Sequence, residues 1–306
     1  MNNYEQLFLF LRTMDFAALQ VFQAVAKTGG ISAAAKQLHR VQSNVTTRIQ
    51  QLEASLGTQL FVRDKGRLHL SAAGALFLNY TDEILQLSQK ARDALSGNVP
   101  HGVLRIGTLE STAAARLPSL LSRYHKKYPA VRVELMTGTT DALVEAVTNR
   151  FVEAAFVAEC TTRPQLEMVP VYIEELVLIA PKTHPKVKHP RDVNANTIIS
   201  FPPGCAYRRL LQTWLGSGSV VPDKVLELSS YHAIVACVAS GTGVAFVPRS
   251  VLKTISGAKE VAVYELGRNK GKAVTSLIWR KGESSSPLRA LQAEVVALKK
   301  LVNPHA

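Results

Sequence analysis

The sequence predicts an α + α/β protein with an N-terminal winged helix-turn-helix, a long linker helix and a C-terminal domain of two α/β lobes. Three observations carry this reading. Residues 15–57 hold three short apolar stripes at helical spacing, followed by a β-like pair around Lys65-Gly66. Residues 71–95 repeat apolar positions at alternating spacings of 3 and 4. From Val103 onward strand-like and helix-like segments alternate. That stretch is long for a single sheet, so two lobes with a cleft between them are expected.

The first stripe is Phe16, Leu19, Phe22 and Ala26, and Thr28-Gly29-Gly30 ends it. Ser32 offers an N-cap for an alanine-rich helix over Ala33–Leu38. His39-Arg40 makes a short turn. Gln42–Leu56 follows with Val45, Ile49, Leu52 and Leu56 on one face, and Gly57 supplies the stop. Leu60-Phe61-Val62 and Arg67-Leu68-His69-Leu70 read as a hairpin. Ser71 caps the long helix, whose positions Phe77, Tyr80, Ile84, Leu87, Ala91 and Ala94 form a heptad seam suited to a dimer. Gly97-Asn98-Val99-Pro100-His101-Gly102 then reads as a hinge. The predicted organisation is an N-terminal extension over 1–14, a winged helix-turn-helix domain over 15–74, a linker and dimerisation helix over 71–97, a hinge over 98–102 and a two-lobe domain over 103–306.

In that last domain strands are expected at Val103–Ile106, Val131–Met136, Ala154–Val157, Leu176–Ala180, Thr197–Ser200, Val225–Leu228, Val244–Val247 and Ser276–Trp279. Helices are expected at Leu117–Tyr128, Ala142–Arg150, Tyr207–Leu215, Tyr231–Ala239 and Leu288–Leu301. The alternation implies mostly parallel sheet.

Composition narrows the function. The chain has 306 residues, 47% of them hydrophobic and 19% charged, which is the profile of a globular protein. No apolar run reaches the roughly 20 residues of a membrane helix, and the start lacks a signal-peptide pattern, so a cytoplasmic location and no membrane partner are expected. Three cysteines, Cys160, Cys205 and Cys237, without a CxxC pair argue against a disulfide framework or a cysteine zinc site. The net charge of +13 suggests a polyanionic partner. Residues 1–97 hold 10 Lys+Arg against 7 Asp+Glu, so bulk charge does not itself locate the site. Lys36–Arg67 is more telling, with six basic residues against Glu53 and Asp64.

Two short helices joined by a tight turn, the second turning polar side chains away from its apolar stripe, are helix-turn-helix geometry. Gln42, Ser43, Thr46, Thr47 and Gln50 carry donors and acceptors suited to base edges in a major groove. Arg48, Arg40 and Lys36 suit phosphates, and Arg63, Lys65 and Arg67 place a basic wing beside them. Ser32 sits at the start of the preceding helix. A trihelical bundle with a solvated face would show the same spacing.

The residues decide more than the spacing does. Phe22-Gln23-Ala24-Val25-Ala26, Gly30 through His39, Arg48-Ile49-Gln50-Gln51-Leu52-Glu53, Leu56 through Arg63 and Leu70-Ser71-Ala72-Ala73-Gly74 resemble the winged helix-turn-helix of LysR-type transcriptional regulators, without gaps. The length, the long helix and the two-lobe α/β order agree with that family from Asp15 onward. The resemblance implies binding of double-stranded promoter DNA, dimerisation through the long helix, a tetramer built as a dimer of dimers, and a periplasmic-binding-protein-like domain that holds a small-molecule effector. Two departures stand out. The family pattern Ser-Gln-Pro-Ala-Leu-Ser-Arg is here Val41-Gln42-Ser43-Asn44-Val45-Thr46-Thr47, so the operator sequence does not carry over. Family members also usually begin near Met14-Asp15.

Ligands of α/β sheets sit beyond the carboxyl ends of strands, near bare helix N–H groups. Such junctions here are Gly107 through Thr112, Thr137 through Asp141, and Phe201-Pro202-Pro203-Gly204-Cys205. The candidate effector contacts are Thr108, Ser111, Thr112, Thr139, Phe201, Pro202, Gly204 and Cys205. Ser111 and Thr139 match cleft-lining positions of the family. Capping of helices by Ser and Thr is the plainer explanation of the same residues. Hydroxyls and N–H groups favour a carboxylate or another small anion, while Glu110 beside them could instead meet an amine. Cys205 invites a redox reading that no second cysteine nearby in sequence supports.

Catalysis finds little support, because GxSxG, GxxxxGK[ST] and HExxH are all absent. No cofactor and no metal are expected. The alternatives are a solute-binding protein or an α/β enzyme with an accessory helical domain.

Overall fold

The computed structural model describes residues 14–64, 67–95, 99–194, 197–267, 271–283 and 285–302. Residues 1–13, Lys65, Asn98 and the side chains of Arg67 and Ala94 lie outside the described set. The chain divides into two compact units, Met1–Gly97 and Asn98–Ala306.

In the first unit α1 spans Phe16–Thr28, α2 Ile31–Gln37 and α3 Gln42–Leu56. Asp15 caps α1 by accepting the Ala18 N–H at 2.8 Å. Gly29 and Gly57 take left-handed φ values of +72° and +64° and end α1 and α3. The cap expected at Ser32 is displaced: α2 starts at Ile31 on extended Gly30, whose carbonyl accepts the Ala34 N–H. Ser32 is thus an exposed first-turn residue. Val45, Ile49 and Leu52 of α3 turn inward against Leu19, Phe22 and Val25 of α1. Each fully buried aliphatic or aromatic side chain of this kind contributes about 1.5–3 kcal/mol.

Strands β1 (Phe61–Asp64) and β2 (Arg67–Leu70) form the antiparallel wing, with Phe61 opposite Leu70. Helix α4 covers Ala72–Leu95 and is capped by Ser71, which accepts the Gly74 N–H at 2.9 Å. Gly74 has no alternative: a Cβ there would lie 1.9 Å from the Leu60 carbonyl oxygen. Phe77, expected in the dimer seam, is half-buried against its own unit. Its ring packs 5.1 Å from that of Phe22 in its own unit. Leu76, Tyr80 and Leu87 remain exposed on α4.

The second unit has strands β3 (Gly102–Thr108), β4 (Val131–Thr137), β5 (Ala154–Ala158), β6 (Leu166–Pro181), β7 (Thr197–Ser200), β8 (Lys224–Glu227), β9 (Ala245–Pro248), β10 (Val261–Glu265) and β11 (Lys272–Arg280). Its helices are α5 (Glu110–Ala115), α6 (Leu117–Lys127), α7 (Thr140–Thr148), α8 (Ala206–Gly216), α9 (Tyr231–Ala239), α10 (Arg249–Leu252) and α11 (Ser286–Val302). The sheet order is β10-β6-β11-β5-β3-β4, with β9 also on β6 and β7 paired with β8.

The sheet is mixed rather than mostly parallel. β3–β4, β3–β5 and β7–β8 are parallel, whereas β6 runs antiparallel to β11, β9 and β10. The cause is the 16-residue β6, read in sequence only over 176–180. Its first half pairs with β11 in one lobe and its second half with β9 and β10 in the other. Pro170 sits inside it because it faces the irregularity between Thr275 and Ser276 of β11. Helices α6 and α11 pack Leu117, Leu120, Tyr124, Leu288, Leu291 and Val295 on one lobe. Trp214 of α8 packs its ring 5.6 Å from Phe246 in the other.

Candidate functional site

Two sets of polar side chains stand out, one in each unit. The first lies on α3. Burial of Val45, Ile49 and Leu52 forces the opposite face outward, so Gln42, Ser43, Asn44, Thr47 and Gln50 are exposed. Thr46 is half-buried, and its hydroxyl donates to the Gln42 carbonyl at 3.0 Å, leaving its oxygen as an acceptor. Asn44 completes this face and was not among the expected residues. Its signal was present, since it lies one helical turn from Thr47.

Glu53 sets the wing. Its carboxylate accepts the N–H groups of Leu60 and Phe61 at 2.7 and 3.0 Å, fixing the approach of β1 to α3. Between them runs a groove of about 510 Å³ lined in part by Thr46, Gln50, Val62 and Arg63. Arg63 is exposed on β1. Lys65 and the Arg67 side chain, expected beside it, lie outside the described residues. Arg48, expected at a phosphate, is half-buried and paired with Asp15. Burial opposes ionisation of Asp15, but the Ala18 N–H and the Arg48 guanidinium outweigh it and hold the carboxyl below its ordinary value. Arg48 therefore ties the outward-facing helix to the start of α1.

The second set lies between the two lobes of the second unit. Thr108 is fully buried and donates its hydroxyl to the Leu109 carbonyl at 3.1 Å, so it is turned onto its own backbone. Ser111 and Thr112 on α5 are 3% and 1% exposed, and neither hydroxyl has a hydrogen-bond partner. The hydroxyls of Thr275 on β11 and Tyr207 on α8 are enclosed in the same unmatched way. Ser111 and Thr275 lie close enough to the Tyr207 phenol to favour its ionised form, yet burial dominates and pushes it up. Burial likewise raises Tyr231 on α9, which also neighbours Ser111. Both phenols are therefore donors at neutral pH. Four segments distant in sequence thus converge on one hydroxyl cluster.

Around it the charges are arranged in pairs. Arg116 holds Glu174 through Nε and Nη2 at 2.7 and 3.1 Å, and the Ser250 hydroxyl donates to the same carboxylate at 2.6 Å. Glu110 is half-buried, and burial raises its carboxyl against the Tyr231 N–H and His232. At the mouth Thr139 caps α7, and the Asp141 N–H donates to the Gly204 carbonyl at 3.3 Å. Arg209 reaches Asp141 at 3.3 Å. Gly204, at φ +88°, approaches so closely that a Cβ would sit 3.0 Å from Thr139 Oγ1. Thr139 and Gly204 are therefore brought together across the lobes, as are Ser111 and Tyr207.

Phe201 and Cys205 line a cavity of about 10 Å³ with Tyr207, Arg208, Tyr231 and Phe246, room for about one water. Pro202 is half-buried, and its carbonyl accepts the Cys205 N–H at 3.3 Å. Burial raises the Cys205 thiol, although nearby N–H groups and arginines pull the other way, so it is not a poised thiolate. Tyr207, Tyr231, Thr275 and Glu174 were missed in the sequence. Among the described residues no cluster of three His, Cys, Asp or Glu could hold a metal ion, and no helix is long and apolar enough to cross a membrane.

Comparison with known proteins identifies the two units. A family model described as a bacterial regulatory helix-turn-helix protein of the lysR family matches residues 16–75, and one described as a LysR substrate binding domain matches residues 97–298. An uncharacterized HTH-type transcriptional regulator, YusT of Bacillus subtilis (strain 168), is 38% identical over 288 residues, covering 94% of this chain and 97% of that protein. Among solved structures, full-length CbnR complexed with its target DNA aligns with a TM-score of 0.67 at 27% identity, covering 93% of this chain and 100% of that one. A full-length OxyR variant from Pseudomonas aeruginosa shares the fold, with a TM-score of 0.73 at 19% identity, covering 94% of this chain and 95% of that one.

Proposed function

The chain belongs to the LysR family of DNA-binding transcriptional regulators with an effector-binding domain, and from that premise we propose which residues carry each task. Gln42, Ser43, Thr46 and Thr47 read base edges in a major groove, joined by Asn44 and Gln50 on the same face. Amide side chains at such positions bond adenine through two contacts. Ser32, Arg63, Lys65 and Arg67 contact the sugar–phosphate backbone, which fixes register without reading sequence. Arg48 acts through Asp15 as an anchor for α3. The observation that carries this reading is the exposure of Gln42, Ser43 and Thr47 on a helix whose other face is locked into the core.

Tyr80 and Leu87, exposed on α4, form the dimer contact with a second copy. Two dimers assemble as a tetramer, and the paired recognition helices meet half-sites about one helical turn apart. In the second unit a small-molecule effector enters between the lobes and meets Ser111, Thr112, Tyr207, Tyr231 and Thr275. Because all five are buried, the lobes must part to admit it. The effector then shifts the population between two lobe arrangements, to the extent that it binds one better than the other.

A gel-shift of the full chain on DNA flanking its own coding region, at two salt concentrations, tests the first task. A complex that survives excess random DNA is expected, with affinity falling as salt rises. Equal competition by random DNA would refute the regulatory reading.

A further inference from the structure

We propose that the cleft selects an effector bearing a protonated amine, and that Glu110 is the residue that sets this preference over a carboxylate. The proposal rests on the cleft reading above and adds the chemical class of the ligand.

The cations around the hydroxyl cluster are already engaged. Arg116 is held by Glu174 in a two-point contact. Arg208 reaches Glu227 at 2.6 Å and the Phe201 carbonyl at 3.4 Å. Arg209 is held by Asp141. A carboxylate placed among Ser111, Thr112 and Thr275 would find hydroxyl donors but would have to take an arginine from an existing partner. It would also add a second negative charge beside Glu110, where low polarity strengthens repulsion.

Glu110 stands in the opposite condition. It is half-buried, its Oε2 is enclosed, and that oxygen has no hydrogen-bond partner. The neighbouring groups that favour its anion are the Tyr231 N–H and the exposed His232. An ammonium group would supply the missing partner as a charge-assisted hydrogen bond. Its remaining N–H groups would find acceptors, because each hydroxyl in the cluster offers lone pairs as well as a proton. Ser111, Thr112, Thr275 and Tyr207 are each at least nine-tenths buried, and their hydroxyls make no well-formed hydrogen bond, although Ser111 and Thr275 both approach the Tyr207 phenol. The rings of Phe201 and Tyr231, 4.9 Å apart, add faces that attract a cation and repel an anion.

The test uses matched probes on the full chain: ethanolamine against glycolate, and benzylamine against benzoate, each titrated calorimetrically and by thermal shift. Each amine is expected to bind at least about tenfold more tightly than its carboxylate partner. Glu110→Gln should remove that preference, and Glu110→Asp, which keeps the charge, should retain it. Tighter binding of the carboxylates, an undiminished amine preference in Glu110→Gln, or no binding by either class would overturn the proposal. Ser111→Trp separates it from the reading on which it rests. If amines bind that variant as well as they bind the wild type, the ligand is not in the cleft and the cleft assignment fails. If Ser111→Trp abolishes binding but Glu110→Gln leaves the preference intact, the cleft stands and the role of Glu110 falls.

Discussion

The two polar sets of this regulator are built on opposite plans. On α3 the groups that face outward are exposed, and the charges behind them are engaged: Arg48 with Asp15 through Nη2, although its buried Nε lacks a partner, and Glu53 with the Leu60 and Phe61 N–H groups. Between the lobes the hydroxyls proposed to meet the effector are enclosed without well-formed hydrogen bonds, and the arginines beside them are paired while Glu110 Oε2 is not. The proposed DNA surface is thus ready before its partner arrives, as suits a ligand of fixed shape. The effector cluster is not, and enclosed polar groups without partners cost free energy until something fills them. That asymmetry is what an effector-driven change of state requires, since a ligand shifts an equilibrium by its differential affinity for the two states.

The largest expected effect lies in the second unit. Arg116→Ala leaves Glu174 charged and 2% exposed. Loss of one partner of a buried pair costs roughly 3–5 kcal/mol, and the lower end applies because the Arg116 side chain is itself 34% exposed. Denaturant unfolding followed by tryptophan fluorescence measures this directly, because Trp214 and Trp279 both lie in that unit. Arg116→Lys should recover part of the loss, one contact in place of two.

Gly74→Ala is the counterpart in the first unit. The added methyl meets the Leu60 carbonyl oxygen and must push the start of α4 away from the wing, at a cost of about 1–3 kcal/mol. Melting followed by far-ultraviolet circular dichroism should gain a lower transition while the tryptophan transition holds. A joint shift of both would show that the units melt as one and would blur the comparison.

Asp15→Asn gives the smallest change, about 1 kcal/mol, because Asn still caps α1 but no longer neutralises Arg48. The pH dependence follows from the same carboxyl. Its folded-state value is lowered, so its contribution is present above the ordinary carboxylate range and is lost as pH falls through the folded value. Wild type should therefore lose stability relative to Asp15→Asn below about pH 4. Parallel acid-unfolding curves for the two proteins would contradict this.

How much of this was legible in sequence follows from the same contrast. The bounds of α3, Gln42 to Leu56 with Gly57 as stop, were readable because apolar spacing and the stopping glycine are local signals. The start of α2 was misplaced by two residues because Gly30 and Ser32 both satisfy the local rule, and the early turn at Gly30 won. Most of β6 was missed because Pro170 and mixed polarity over 166–175 disguise a strand that only its partner β11 defines. The hydroxyl cluster was half legible. Ser111 and Thr112 sit in a strand–helix junction, where position gives them away. Tyr207 and Thr275 join them only through the fold, and nothing near either residue in the chain marks it as lining a cleft. Phe77 shows why heptad spacing alone is ambiguous: it also packs inside its own unit against Phe22.

The direct trial of the account is a competition titration of Gln42→Ala and wild type on a recovered operator and on a shuffled duplex of equal length and salt. The variant should lose about 1–3 kcal/mol on the operator, traceable to a single base pair, and bind the shuffled duplex as wild type does. An equal loss on both duplexes would mean that α3 does not read sequence through its exposed face.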